Sequence, residues 1–224
     1  MKMFESVAES LKATGVGPKD AVEELPRNLQ PSYRHFLSLS DGGYTSDGFI
    51  HFFGLGGPLE QNLLQWNKVG FWKLHFGLTD DTFVFAEDNL GTQFMFDVRG
   101  NRKVVKMLIP DGGKISLCAN TFEEFLENEA HPTEVNARPR GLAARFFRET
   151  GIAFRPFTHI SCKVPVMLGG SDEDVQNLAL VNSGTNLVIL GQVCAQVREL
   201  PPGTRIKDIR IDEVNATVAV VPES

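Results

Sequence analysis

Along the first part of the chain the apolar positions change from a helical period to a strand period. Phe4, Val7, Ala8 and Leu11 repeat at helical spacing over residues 2–14, and Gly15 ends the run. Leu29, Tyr33, Phe36 and Leu37 share one face of a second helix, with Pro31 suited to its first turn and Gly42-Gly43 to its left-handed end. Residues 48–53 read as a strand, Gly54 to Gly57 break it, and Pro58 opens a helix carrying Leu59, Leu63, Trp66 and Asn67. Thr82–Ala86, Thr92–Val98, Lys103–Leu108 and Ile115–Cys118 then form short strands, parted by turns rich in Gly, Asn and Asp. Short alternating strands with tight turns make an antiparallel meander. Thr121 and Glu124 form a capping box, and Phe122, Phe125 and Leu126 are the buried stripe of the helix it opens.

His131 to Pro139 reads as a linker. A helix follows from Pro139 to Thr150, with Leu142, Ala143, Phe146 and Phe147 inward. Ile160–Leu168 reads as a strand, and Leu187–Val197 reads as strand or helix. Pro201-Pro202-Gly203 reads as a turn, and two late strands, near Ile206–Ile211 and Ala216–Val221, follow it. The expected fold is α+β, with an antiparallel sheet of about five or six strands flanked by helices. A smaller C-terminal α+β unit is added, giving expected domains over residues 1–132 and 139–224.

Charge sharpens the picture. The formal net charge is −6, and all of it lies in residues 1–130, which hold 12 Lys and Arg against 18 Asp and Glu. Nucleic acids require a cationic surface, so they are disfavoured as partners and a basic protein is favoured. The first residues lack a signal-peptide core and no apolar run spans a membrane, so a cytoplasmic location is expected without membrane association. Cys118, Cys162 and Cys194 are far apart and form no CxxC pair, which suits reduced thiols rather than zinc ligands.

Candidate chemistry is sparse. Gly54-Leu55-Gly56-Gly57-Pro58-Leu59 has Leu where a dinucleotide fingerprint needs Gly or Ala, so it reads as a turn. Asp80, Asp81, Glu87, Asp88 and Asp97 lie close in sequence with no cation among them. They read either as turn residues or as a patch for a partner's Lys and Arg; a metal would need several of these oxygens converging on one point. None of the five histidines forms a motif, no serine lies in GxSxG, and no catalytic residue, metal ligand or cofactor is expected. Trp66 and Trp72 suit either core packing or an interface anchor.

Leu25-Pro26, Tyr33 with Phe36-Leu37, Asp41-Gly42-Gly43, the segment Phe85 to Asp97 and the closing Thr121 to Leu126 stand in an order that resembles the SUKH superfamily of the Smi/Knr type. Many relatives carry Asn at the position of Asp41. Val166 to Gly170, Gln176-Asn177 and Leu187 to Gln192 are similar to the C-terminal part of certain bacterial secretion-system immunity proteins. The resemblance implies a non-enzymatic protein that neutralises a toxin by binding it. In that reading Asp80, Asp81, Glu87 and Asp88 form an acidic docking face with Trp66 and Trp72 beside it, and the partner is a basic toxin domain. The alternative is a regulatory or scaffold protein binding a cellular partner. The sequence leaves the oligomeric state open.

Overall fold

The computed structural model describes residues 7, 11, 25–56, 62–99, 104–212 and 217–223. The helix expected over residues 2–14, except for the buried Val7 and Leu11, and the opening of the helix expected at Pro58 lie outside the described residues. The centre is a six-stranded antiparallel sheet in sequence order: β1 (Gly43–Tyr44), β2 (Ile50–Phe52), β3 (Thr82–Asp88), β4 (Gln93–Asp97), β5 (Val105–Ile109) and β6 (Lys114–Ala119). Strands consecutive in the chain pair through short turns, as the meander pattern predicts.

Two helices cover one face of this sheet. In α1 (Pro31–Leu39) Tyr33, Phe36 and Leu37 are buried, and in α3 (Phe122–Glu129) Phe122, Phe125 and Leu126 are buried. The Tyr33 ring lies 5.2 Å from Phe96, 5.4 Å from Phe85 and 5.3 Å from Phe122. Phe125 lies 4.9 Å from Phe94 and 5.1 Å from Phe85. Burial of each such ring stabilises by about 1.5–3 kcal/mol, so this aromatic layer is the main cohesion of the sheet. The Thr121 hydroxyl accepts from the Glu124 amide, and the Glu124 carboxylate accepts from the Asn120 amide.

The helix carrying Trp66 is one turn, α2 (Leu63–Trp66), capped by Asn62. The chain then turns into a short 3-10 segment, Lys73–Phe76. Asn67 holds this connection to β3, donating to the Val84 carbonyl and accepting from the Val84 amide, both at 2.7 Å. Buried Lys73 donates to the carbonyls of Asn67 and Thr82; burial lowers its pKa to about 8.

Residues 131–136 are tied down rather than open linker. The buried Asn136 side chain donates to the carbonyls of Asn128 and His131, ahead of α4 (Ala137–Thr150). β7 (Thr158–Cys162) and β8 (Leu178–Asn182) form a two-stranded sheet. The strand expected to run on to Leu168 stops at Cys162, and Val166–Leu168 is a 3-10 turn. Residues 187–197 lie within α5 (Ser183–Glu199), which settles that segment as helix. Asn182 caps it by accepting from the Thr185 amide, and Leu187, Leu190, Gly191 and Cys194 make its buried stripe at helical spacing. A side-chain carbon at Gly191 would lie 2.6 Å from the His75 Cβ, so glycine lets α5 approach the 3-10 segment. β9 (Ile206–Asp212) and β10 (Thr217–Pro222) form a final hairpin against α5.

Candidate functional site

A buried polar cluster joins the six-stranded sheet to the C-terminal elements. Glu87, next to last in β3, stands opposite His51 of β2 and Gln93 of β4, and all three are buried. Ser183, the first residue of α5, donates to Glu87 Oε1 at 3.1 Å, and Gln93 Nε2 donates to Oε2 at 3.1 Å. His51 Nδ1 stands 3.9 Å and His159 Nδ1 3.8 Å from the carboxylate, too long for direct hydrogen bonds. Burial alone would raise the Glu87 pKa, but the nearby imidazoles of His159 and His51 outweigh it and hold it at about 2. The Asn186 amide reaches His159 Nε2 at 2.8 Å. An amide nitrogen only donates, so Nε2 accepts and the Nδ1 proton faces Glu87.

The wall around the cluster is aromatic. His51 stacks on Tyr44 at 4.3 Å, and the Tyr44 hydroxyl accepts from the Phe157 amide at 3.4 Å. Phe157 has φ +69°, unusual for a residue other than glycine, and its carbonyl accepts from the Ser183 amide. Its backbone is thus held from both sides of the seam.

Next to this cluster, a cleft of about 450 Å³ opens between β3–β5 and the segments from 129 to 190. Its walls are apolar: Phe94, Met107, Leu142, Ile160, Leu178 and Leu190. Asp88, Asp111, Glu129 and Asp172 also line it, against one cation among the described residues, Arg138, which pairs with Asp172 at 3.0 Å. Asp111 accepts from the amides of Val166 and Met167, fixing the 3-10 turn over the cleft. Asp88 Oδ1 accepts from the amides of Leu90 and Thr92, yet burial raises its pKa to about 6. Burial also raises Glu129. Carboxyls raised in this way gain most when a cation arrives beside them.

The structure divides the residues expected to form one acidic face. Asp80 and Asp81 lie at one end of β3; Asp81 pairs with Arg99. Glu87 and Asp88 lie at the other end and are buried. Asp97, across from Thr82, pairs with Lys106 at 3.2 Å. The expected acidic docking face of these four residues therefore does not form, because folding buries Glu87 and Asp88. Trp66 and Trp72 are 1% and 0% exposed, so neither is a surface anchor. Trp66 Nε1 donates to Gln93 Oε1 at 2.9 Å, which places it behind the Glu87 cluster. The Gly42 and Gly54 backbones pass so closely that a side-chain carbon on either would strike the opposite strand's main chain. Asp41 accepts from the amides of Leu55 and Gly56, so two donors of the expected turn are taken by a side chain, while residues 57–59 of it lie outside the described residues. His51 and His159, which no motif marks in the sequence, flank Glu87. Among the described residues no group of three or more His, Cys, Asp or Glu is arranged to hold a metal ion, and no helix is long and apolar enough to cross a membrane.

Residues 18–128 match the family model described as SMI1 / KNR4 family (SUKH-1). The match ends there, so the expected likeness of residues 140–224 to secretion-system immunity proteins lies outside it. No curated protein gives a significant match. The crystal structure of Atu4351 from Agrobacterium tumefaciens is similar in fold, with a TM-score of 0.55 at 12% identity over 97% of this chain and 96% of that one. The shared fold thus spans the C-terminal elements as well as the sheet.

Proposed function

Residues 18–128 belong to the SMI1/KNR4 (SUKH-1) family, and on that premise we propose that the chain is a non-enzymatic protein that binds another protein, acting as an immunity protein against a bacterial toxin. One observation carries the mode of binding: the cleft at the seam pairs apolar walls with four carboxylates and one arginine. Such a site fits a Lys or Arg side chain whose apolar stem lies against the walls and whose head meets Asp88 and Glu129. Net charge supports the same partner chemistry, since the negative excess resides in residues 1–130.

The non-enzymatic reading draws support from the nucleophiles. Ser183 is fully buried and donates to a carboxylate rather than to an imidazole. Burial pushes the Cys118 thiol up to about 12 and Cys162 to about 11, and it also raises Cys194, so none is a ready thiolate at neutral pH.

The test is calorimetric titration with toxin domains encoded beside the gene. Val135 lines the cleft and is exposed, so Val135→Arg adds a like charge for the ligand at the mouth without disturbing the core. A loss of about tenfold or more is expected; unchanged affinity would remove the cleft from the interface. Capture of a host protein in place of a toxin would favour the regulatory alternative. The cleft volume also suits a small organic cation. Thermal stabilisation by a panel of aliphatic amines, with none by matched alcohols, would favour that second reading.

A further inference from the structure

The C-terminal hairpin has one closed edge and one open edge. On the β10 side, Gln196 Nε2 donates to the Val218 carbonyl at 2.7 Å. Gln192 Oε1 accepts from the Val218 amide at 2.8 Å, and Gln196 Oε1 from the Val220 amide at 3.0 Å. Two glutamines of α5 therefore occupy the place of a neighbouring strand. These bonds also fix the hydrogen-bond phase. In an antiparallel pair the backbone groups of successive residues point alternately towards and away from the partner. Val218 and Val220 point to α5, so Ala219 and Val221 bond to their partners Arg210 and Asp208. The N–H and C=O groups of Ile209 and Ile211 then point outward from β9, where no strand lies beside them among the described residues.

We propose that this open β9 edge pairs antiparallel with β9 of a second copy, making a continuous four-stranded sheet across a two-fold axis. The phase restricts the registers. Outward groups belong to odd-numbered residues, so an odd residue must face an odd residue. Centring the axis on Ile209 sets Ile209 against its counterpart and Asp208 of each copy opposite Arg210 of the other. Centring it on Asp208 or Arg210 sets like charges face to face, which is destabilising. Centring it on Ile211 sets Arg210 opposite Asp212 but leaves Asp208 without a cross-strand cation among the described residues. The Ile209 register alone engages both charges twice, as a self-complementary two-fold interface requires. Within one copy Asp208 and Arg210 already pair at 3.3 Å, but both are exposed, so that contact contributes little and is easily shared. Ile211 is 54% exposed, and in this register it stands opposite Lys207 of the second copy, whose aliphatic stem can cover it. Charges on an edge strand oppose association unless they are complemented across the pair; in the Ile209 register those at 208 and 210 of β9 are complemented.

Sedimentation equilibrium of the full chain from roughly 1 to 300 µM tests this. A monomer–dimer equilibrium is expected for the native protein, and a monomer throughout would overturn the proposal. Asp208→Arg or Arg210→Asp alone should weaken the dimer by about tenfold or more. The double exchange Asp208→Arg with Arg210→Asp restores the complement and should return to within about threefold of native. Failure of the double exchange to recover, in variants whose circular dichroism is native, would also overturn it. Binding of a toxin domain at the seam is read separately by calorimetry, so either proposal can fail without the other.

Discussion

His159 Nδ1 lies 3.8 Å from a carboxylate oxygen of Glu87, joining β7 to the end of β3 across 72 residues of chain. Around this contact the seam is built: Ser183, Gln93 and His51 approach the same carboxylate, and the Ile160 amide donates to the Asn89 carbonyl at 2.7 Å. The cleft beside it exists only because this seam holds the C-terminal elements against the sheet.

Glu87→Gln keeps the side-chain shape but removes the buried charge that the imidazoles face. It also gives Ser183 and Gln93 a poorer acceptor. A loss of about 2–4 kcal/mol is expected in urea unfolding. A change below 1 kcal/mol would mean that the cluster fills space without holding the seam.

Two neighbouring carboxyls should give opposite pH terms. The Glu87 pKa falls from 4.5 to about 2 on folding, so its stabilisation is present above pH 4.5 and lost as pH falls towards 2. The Asp88 pKa rises from 3.8 to about 6, so its contribution is complete below pH 3.8 and lost as pH rises through 6. Each term is worth at most about 3 kcal/mol. Relative to the native protein, Asp88→Asn should therefore gain stability between pH 4 and pH 7, measured by denaturant titration across that range.

Gly91 and Gly112 both have positive φ, +81° and +88°, but differ in surroundings. A side-chain carbon at Gly91 would lie 2.7 Å from the His159 ring, whereas Gly112 faces open space. Gly112→Ala should cost about 1 kcal/mol of backbone strain. Gly91→Ala should cost at least about 1 kcal/mol more, because the buried imidazole must move. Equal melting shifts for the two would contradict the tight docking of β7.

Both tryptophans are buried, so native fluorescence should be blue-shifted and weakly quenched by acrylamide. Trp66→Phe leaves the Gln93 carbonyl oxygen without its donor, at a cost of about 1–3 kcal/mol in unfolding free energy. Emission near that of free tryptophan in the native state would place an indole in solvent, against the packing described.

Much of the fold was readable from local signals. The strand–turn–strand alternation from Thr82 to Cys118 and the Thr121–Glu124 cap depend on residues within a few positions of each other. The aromatic stripe Tyr33, Phe36 and Leu37 likewise announces its buried face by spacing alone. The segment 187–197 was ambiguous because an apolar run of that length suits a strand or a buried helix. The Asn182 cap and the packing of Gly191 on His75 decide for helix.

The candidate site was far less legible. That Asp80-Asp81 and Glu87-Asp88 sit at opposite ends of one strand is readable from the sequence; that pairing with β2 and β4 buries the second pair is not. His51 and His159 had no motif to mark them, because what joins them is a single carboxylate reached from two sheets. By itself the sequence determined the α+β meander, its core and its negative charge, all set by period, turns and composition. The seam, its cleft and the open β9 edge were decided by tertiary structure, since long-range packing chooses which charges are buried, paired or left facing solvent.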